Sequence, residues 1–216
     1  MFMAEGKRKI NWTSELVSLA IVLAAVTCAR SSLADHYYVP SGSMEYSLMP
    51  GDRVIVDKTA YGVRIPLTKI DMFGAATPRR GDIAVFDSPR DGVRLIKRIV
   101  AIGGDSVSLV NGQLTINGQP LGDRQVERFG DRNALLNLHD GGGPDYDMQI
   151  PEGMVLAIGD HRGNSLDGRY WGLLDERELY GRAVAIYYRS SDVDLRLSSP
   201  LKSLKALLGG FVWKPL

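Results

Sequence analysis

Apolar positions along this chain follow two different patterns. From Trp12 to Ala29 the sequence WTSELVSLAIVLAAVTCA is almost continuously apolar or small, with Glu15 near its start. Extended to about Ala34, a helix here reaches about 23 residues, or ~34 Å at 1.5 Å per residue, enough to cross a bilayer core. Beyond it the pattern changes to short runs rich in β-branched residues with glycines between them. These runs predict strands at Arg53 to Asp57, Asp82 to Phe86, Val93 to Ala101, Ser106 to Val110, Leu114 to Asn117, Met154 to Ile158 and Ala183 to Tyr188. Asn111-Gly112 and Asn117-Gly118 are tight-turn signals, and hairpin spacing of this kind favours antiparallel sheets over βαβ units. The expectation is a mainly β chain: an antiparallel β-sheet domain over residues 35–195 behind one N-terminal transmembrane helix over 12–34. Gly118 to Glu152, with Gly141-Gly-Gly-Pro144 and several acidic residues, has no clear period and reads as an excursion from the sheet.

Charge sets the direction of the span. Lys7, Arg8 and Lys9 precede it with only Glu5 against them, which places residues 1–11 in the cytoplasm and everything after the helix outside. Arg30 near the far end can snorkel. A cleavable signal peptide or a buried soluble helix are the competing readings, and the length of the span favours a retained anchor. Near the other end Leu201, Leu204, Leu207 and Leu208 alternate with Lys202 and Lys205, and no acidic residue follows Asp194. That makes 196–216 a candidate membrane-interfacial segment, with a packed terminal helix as the alternative. At 216 residues, 44% of them apolar, the chain suffices for one globular core beside the anchor. Its net charge of +1 offers no electrostatic case for a nucleic-acid partner. Cys28 is the only cysteine and lies in the apolar span, so no intramolecular disulfide can form.

Candidate chemistry begins just past the anchor, in Val39-Pro-Ser-Gly-Ser-Met44. Pro40 restricts Val39 to extended geometry, and the small residues Ser41-Gly42-Ser43 let a substrate backbone come close. A serine hydroxyl is a poor nucleophile until a base takes its proton, and a desolvated lysine amine can be that base. Lys97 is the candidate. Strand alternation puts Val93, Leu95, Lys97 and Ile99 on one face, so apolar neighbours flank the amine and would lower its pKa. A flexible linker around Ser43 and a solvated lysine beside Arg98 are the bland readings of the same residues. The histidines are His36, His139 and His161, and His161, between Asp160 and Arg162, reads as structural or substrate-facing rather than as the base of a Ser-His-Asp triad. Histidines and the one cysteine form no metal-ligand cluster, so neither a metal nor another cofactor is expected.

The segments Pro40-Ser-Gly-Ser-Met44 with Gly51-Asp52, Arg80-Gly-Asp-Ile-Ala-Val-Phe86, Ile96-Lys-Arg-Ile-Val100 with Gly104-Asp105, and Gly159-Asp-His-Arg-Gly-Asn-Ser165 with Asp167, Arg169, Tyr170, Trp171 and Gly172 resemble, in order, the sequence boxes of bacterial type I signal peptidases. The resemblance implies a membrane-bound serine endopeptidase that removes signal peptides from exported preproteins at the outer face of the cytoplasmic membrane. It cuts after small residues in Ala-X-Ala sites. By the same resemblance Ser43 is the nucleophile, Lys97 the general base, Ser41 an oxyanion-hole hydroxyl and Ser165 the serine that orients the lysine. Arg98 with Asp160, and Asp167 with Arg169, are bracing charge pairs. Val39, Met44, Leu48, Leu95 and Ile96 line shallow pockets for the substrate. Signal peptides and the phospholipid membrane are the implied partners, and the chain is expected to act as a monomer. It departs from the usual family sequence at Tyr46-Ser47 (Pro-Thr), His161 (Asn), Gly163 (Asp) and Gly168 (Ser). Three alternatives stay open on sequence alone: a specialised paralogue serving one secretion or conjugation system, a self-cleaving Ser-Lys regulator, and a noncatalytic membrane-tethered β module.

Overall fold

The structure, a computed structural model, describes residues 11–32, 34–64, 71–73, 76–189 and 211–216. Helix α1 spans Trp12–Ser32. It leads into β1 (Ala34–Tyr38), β2 (Arg53–Asp57), β3 (Val63–Arg64), β4 (Asp71–Phe73), β5 (Ile83–Asp87) and β6 (Arg94–Ile102). A run of shorter strands follows: β7 (Ser106–Val110), β8 (Gln113–Ile116), β9 (Gln119–Pro120), β10 (Gly122–Asp123), β11 (Val126–Phe129), β12 (Arg132–Leu135) and β13 (Tyr146–Gln149). The chain then forms β14 (Met154–Ile158), the one-turn helix α2 (Gly168–Trp171), β15 (Leu174–Asp175), β16 (Leu179–Tyr188) and β17 (Phe211–Pro215). The expected mainly antiparallel β architecture is present. The principal sheet has the order β1-β2-β16-β5-β6-β14-β15, with β17 alongside β16, and smaller sheets β13-β7-β8-β9, β10-β11-β12 and β3-β4 complete it.

Local chemistry explains the hairpins. Asn111 and Gly112 take φ 52° and 79°, and Asn117 and Gly118 take 52° and 76°. Two successive positive φ values are the primed turn that matches strand twist, and asparagine and glycine accept them at least cost. Val110 faces Gln113 across the first turn and Ile116 faces Gln119 across the second. Alternation then buries Val107 and Leu109 of β7 and Leu114 and Ile116 of β8 against Val100, Leu156 and Ile158 of the principal sheet. A second cluster gathers Val39, Met44, Leu48, Val54, Val56, Ile83, Val85 and Ile96, and a third gathers Tyr61, Phe86, Ile99, Val155 and Leu179. β5 and β6 therefore supply both of their faces to cores, which is why Ile96 to Ala101 is buried at every position.

Three sequence expectations shift. Helix α1 ends at Ser32, and Ala34–Tyr38, where the sequence pattern puts the end of the helix and no strand, forms β1 paired residue for residue with β2. Its polar Asp35 and His36 hide the strand, because β1 lies at the sheet edge where only alternate residues are partly covered. Residues 118–152 hold five short strands rather than an unpatterned excursion, and they bury Glu127, Phe129, Ala134, Leu136 and Ile150. Strands of two to four residues are too short to show a period. Phe211–Pro215 is a strand on β16, while the expected interfacial segment before it, like the cytoplasmic residues 1–10, lies outside the described residues. Among the described residues no helix is long and apolar enough to cross a membrane.

A buried ion pair fastens the short-strand region to the loop that follows β14. Arg162 Nη2 donates to Glu127 Oε2 at 2.6 Å, and both side chains are almost wholly shielded from solvent. Removing one partner of such a pair leaves a buried charge uncompensated. Glu127→Ala is expected to lower unfolding free energy by about 3–5 kcal/mol, read by urea denaturation of the full chain in detergent. A change below about 1 kcal/mol would mean that the region does not depend on the pair.

Candidate active site

β6 carries two adjacent cations into a sheet covered on both sides. Alternation sends Leu95, Lys97 and Ile99 to one face and Ile96, Arg98 and Val100 to the other. Lys97 is 3% exposed. Its Nζ donates to Ser165 Oγ at 3.0 Å, its only hydrogen bond among the described residues. Burial dominates its protonation and lowers the amine from 10.5 to about 8, while the Asp167 and Asp160 carboxylates pull it back up and the Arg169 guanidinium pushes it further down.

Ser43 lies in a single 3₁₀ turn, Gly42–Met44, a few residues past β1. Backbone hydrogen bonds from Val39 N–H to Asp52 O and from Gly51 N–H to Val39 O close the segment around it. Met44, fully buried with Val39, Leu48 and Ile96, pins the turn to the core. Ser43 Oγ is 3.3 Å from Ser41 Oγ, the former buried and the latter exposed.

Ser165 arrives on the loop between β14 and α2, and buried charge fixes that loop. Asp167 accepts hydrogen bonds from Gly159 N–H at 3.0 Å and from Arg169 Nε and Nη2, both at 2.8 Å. Arg169 also donates to the carbonyls of Gly142 and Arg162. Arg162 donates to the carbonyls of Gly159 and Gly112. Arg98 grips Asp160 through Nε and Nη2 at 2.9 and 2.7 Å and reaches Gly81 O and Ser47 Oγ. Gly159 is where the two halves of the site meet. A Cβ there would overlap the Ser43 carbonyl oxygen on one side and the Ser165 hydroxyl on the other. Only glycine permits that approach.

The structure thus brings Ser41, Ser43, Lys97 and Ser165 into one region and forms hydrogen-bonded ion pairs between Arg98 and Asp160 and between Asp167 and Arg169. Of the expected pocket residues, Val39, Met44, Leu48 and Ile96 share one cluster, whereas Leu95 faces the other way and packs with Phe86 and Trp171. His161 does not approach as a base. Its N–H donates to the Ser43 carbonyl at 3.1 Å, while its ring nitrogens lie 3.2 Å from Glu45 Oε2 and 2.9 Å from Asp140 Oδ2. Sequence reasoning assigned no role to Arg162, Glu127, Asn137 or Gly142. Arg162 stands inside a quoted motif, but its partners come from segments without a readable pattern. No group of three or more metal-ligating side chains is assembled among the described residues.

Comparison with known proteins follows from the same segments. The profile of the family described as Signal peptidase, peptidase S26, matches residues 11–188. The chain is similar to the signal peptidase I of Pseudomonas aeruginosa, 31% identical over 195 residues that cover 77% of this chain and 69% of that protein. It is likewise similar to the signal peptidase I of Haemophilus influenzae, 30% identical over 253 residues that cover 85% and 72%. The crystal structure of a signal peptidase I from Enterococcus faecalis matches half of this chain and 97% of its own, with a TM-score of 0.39 and 28% identity.

The lowered lysine has a measurable signature. In the unfolded chain the amine returns to 10.5, so the unfolded state binds the proton more tightly and the cost of burying the charged form is fully present below about pH 8. Stability from this group therefore rises between about pH 8 and 10.5, by roughly 3 kcal/mol for a gap of 10.5 − 8 = 2.5 units. NMR of ¹³Cε-labelled lysine should show one resonance with a midpoint near 8 that Lys97→Met deletes, and Lys97→Met should lose this rise in stability. All lysines titrating above 10 would exclude a buried, lowered amine.

Proposed function

Because this chain belongs to the signal peptidase family, peptidase S26, and so cleaves signal peptides from preproteins, we propose that it does so with Ser43 as nucleophile and Lys97 as general base. The observation that carries the assignment is Lys97 itself, an amine buried among apolar side chains, lowered to about 8 and held by Ser165 beside the Ser41–Ser43 turn. Neutral Lys97 takes the Ser43 proton as Oγ attacks the carbonyl carbon of the scissile bond. The tetrahedral oxyanion is received by the Ser43 N–H and the Ser41 hydroxyl. The Lys97 ammonium then protonates the departing amine, leaving an acyl group on Ser43. Water, deprotonated by the same amine, releases the signal peptide and regenerates the serine.

Substrate selection follows from packing. Val39, Met44, Leu48 and Ile96 are close-packed and almost wholly buried, which leaves no deep cavity for a large side chain over them, and Leu95 lies on the other face of β6. A closely packed surface of this kind suits Ala-sized side chains in an Ala-X-Ala site. β1 is an edge strand running into the Ser41–Ser43 segment, which favours a substrate that pairs with it as an extended strand.

Helix α1 is assigned as the membrane anchor although its described residues do not by themselves make a span, and what supports the assignment is its surface. Leu16, Val17, Leu19, Ile21, Val22, Leu23 and Val26 all stand exposed on a helix with no apolar partner face among the described residues. With Lys7, Arg8 and Lys9 on the cytoplasmic side, the catalytic domain lies on the outer side of the cytoplasmic membrane, at the depth of a preprotein's cleavage site. Tethering raises the effective concentration of enzyme and membrane-held substrate.

Purified protein in detergent, incubated with a preprotein bearing an Ala-X-Ala site and analysed by mass spectrometry, is expected to cut after the second alanine. Ser43→Ala and Lys97→Ala should each reduce kcat/KM by at least about 10³-fold, and the double variant should be little worse than either. In the parent, kcat/KM should rise with pH through about 8 as Lys97 loses its proton. Substantial cleavage by Lys97→Ala would rule out the dyad. Topology is tested separately with alkaline phosphatase fused after Leu216. An active fusion is expected, and a silent one alongside an active cytoplasmic reporter would place the serine on the wrong side.

A further inference from the structure

Away from Ser43 and Lys97, a cavity of about 980 Å³ is walled by four arginines, Arg79, Arg80, Arg128 and Arg182. Asp82 is the one acidic side chain among its described lining residues, and it is already engaged. Arg132 Nη1 donates to it at 2.5 Å, the Arg79 N–H at 3.1 Å and the Tyr61 hydroxyl at 3.3 Å. The wall therefore carries an excess of positive charge.

The four guanidiniums are not equally occupied. Arg80 is held by Asp105 through Nε at 2.7 Å and through Nη2. Arg128 meets Asp123 at 3.3 Å between two exposed side chains, a pairing worth little in water. Arg182 comes no nearer than 4.0 Å to Asp57 and 3.7 Å to Asp82, too far for a hydrogen bond, although its side chain is only 29% exposed. The Arg79 side chain has no hydrogen-bonded or ionic partner among the described residues. A guanidinium in this state has donors to spare, and its planar fork matches two oxygens of a phosphate.

Topology indicates which phosphate. Arg182 on β16 stands opposite Asp57 of β2, and Asp57 stands opposite Ala34 of β1. Two strand spacings put Arg182 roughly 10 Å from Ala34, which lies two residues past the end of α1 at Ser32. Thr59 and Ala60, in the 3₁₀ turn Lys58–Tyr61 directly after Asp57, line the cavity as well. The arginines thus gather where α1 enters the sheet, and the anchor assigned above holds that end of the sheet at the membrane surface.

We propose that this cavity binds the phosphate of an anionic phospholipid headgroup, with Arg79 and Arg182 as its principal donors and Arg128 completing the cradle. The choice of a lipid over a free phosphate rests on the assignment of α1 as the membrane anchor. A headgroup bound there fixes the sheet to the bilayer at a second point beside the helix, which limits how far the catalytic domain can turn about its tether.

The test uses the full-length protein in detergent and native mass spectrometry, with dioleoyl phosphatidylglycerol as the anionic probe and dioleoyl phosphatidylcholine as the neutral one. Phosphatidylglycerol adducts are expected to exceed phosphatidylcholine adducts by about fivefold or more, and Arg79→Gln combined with Arg182→Gln should reduce them to the phosphatidylcholine level. Arg90→Gln, at an exposed arginine in the turn between β5 and β6, should leave them unchanged. Should thermal melts show the Arg182 variant unfolded, Arg79→Gln combined with Arg128→Gln is read in its place with the same expectation. Equal retention of the two lipids, or undiminished phosphatidylglycerol adducts in the folded variant, overturns the inference. Displacement of phosphatidylglycerol by millimolar inorganic phosphate would show a site for the free anion and overturns it too. Release of the protein from membranes by alkaline carbonate would instead overturn the anchor assignment, which the detergent measurement does not use, so the two failures are distinguishable.

Discussion

Asp167, shut away from solvent, is satisfied by the Gly159 N–H and the Arg169 guanidinium, and that arrangement determines where the loop from Gly159 to Asp167 can lie. A buried carboxylate bears a desolvation cost of several kcal/mol, which only well-aligned donors offset. The loop is therefore tightly constrained: Asp167 must meet Arg169, Arg169 must reach the carbonyls of Gly142 and Arg162, and Arg162 must reach those of Gly159 and Gly112. Ser165 hangs from this frame. Its hydroxyl stands 3.0 Å from Lys97 because the loop has little freedom to stand elsewhere.

The same frame resolves conflicting demands on Lys97. Burial lowers the amine, but it also brings Asp167 and Asp160 near enough to raise it. Each of those carboxylates already holds an arginine, Asp167 through Arg169 and Asp160 through Arg98. Their charge is largely spent on those partners, so desolvation prevails and the amine settles at about 8. Arg98 and Lys97 are chain neighbours with opposite fates, one held charged by a bidentate partner and the other left with a hydroxyl. Strand alternation is what separates them.

Much of the site is legible in the chain because its residues are local. Ser41, Gly42 and Ser43 lie within three positions, Lys97 follows Leu95 and precedes Ile99 on a strand whose β-branched pattern is plain, and Gly159 to Ser165 form one short run. The Asn-Gly turns are equally readable, since few residue pairs accept two positive φ values. The second half of the support is not legible. Glu127 lies in a four-residue strand and Asn137 in a loop, both within a stretch that reads as patternless, and their side-chain partners Arg162 and Glu45 lie 35 and 92 positions away. His161 likewise shows no sign, in sequence, of Glu45 or Asp140.

Periodicity and turn chemistry were enough for the chain itself to specify an antiparallel β domain and its main strands, while the pairing of Ser43 with Lys97 was carried by the resemblance to signal peptidases. These properties are local, set by backbone sterics and by the alternation of side chains along a strand. Which charges are buried and which partner each one meets was decided only by tertiary structure. Desolvation and hydrogen-bond geometry act between residues that the fold brings together, and nothing in the sequence around Arg162, Glu127, His161 or Gly159 announces the neighbours that give each of them its role.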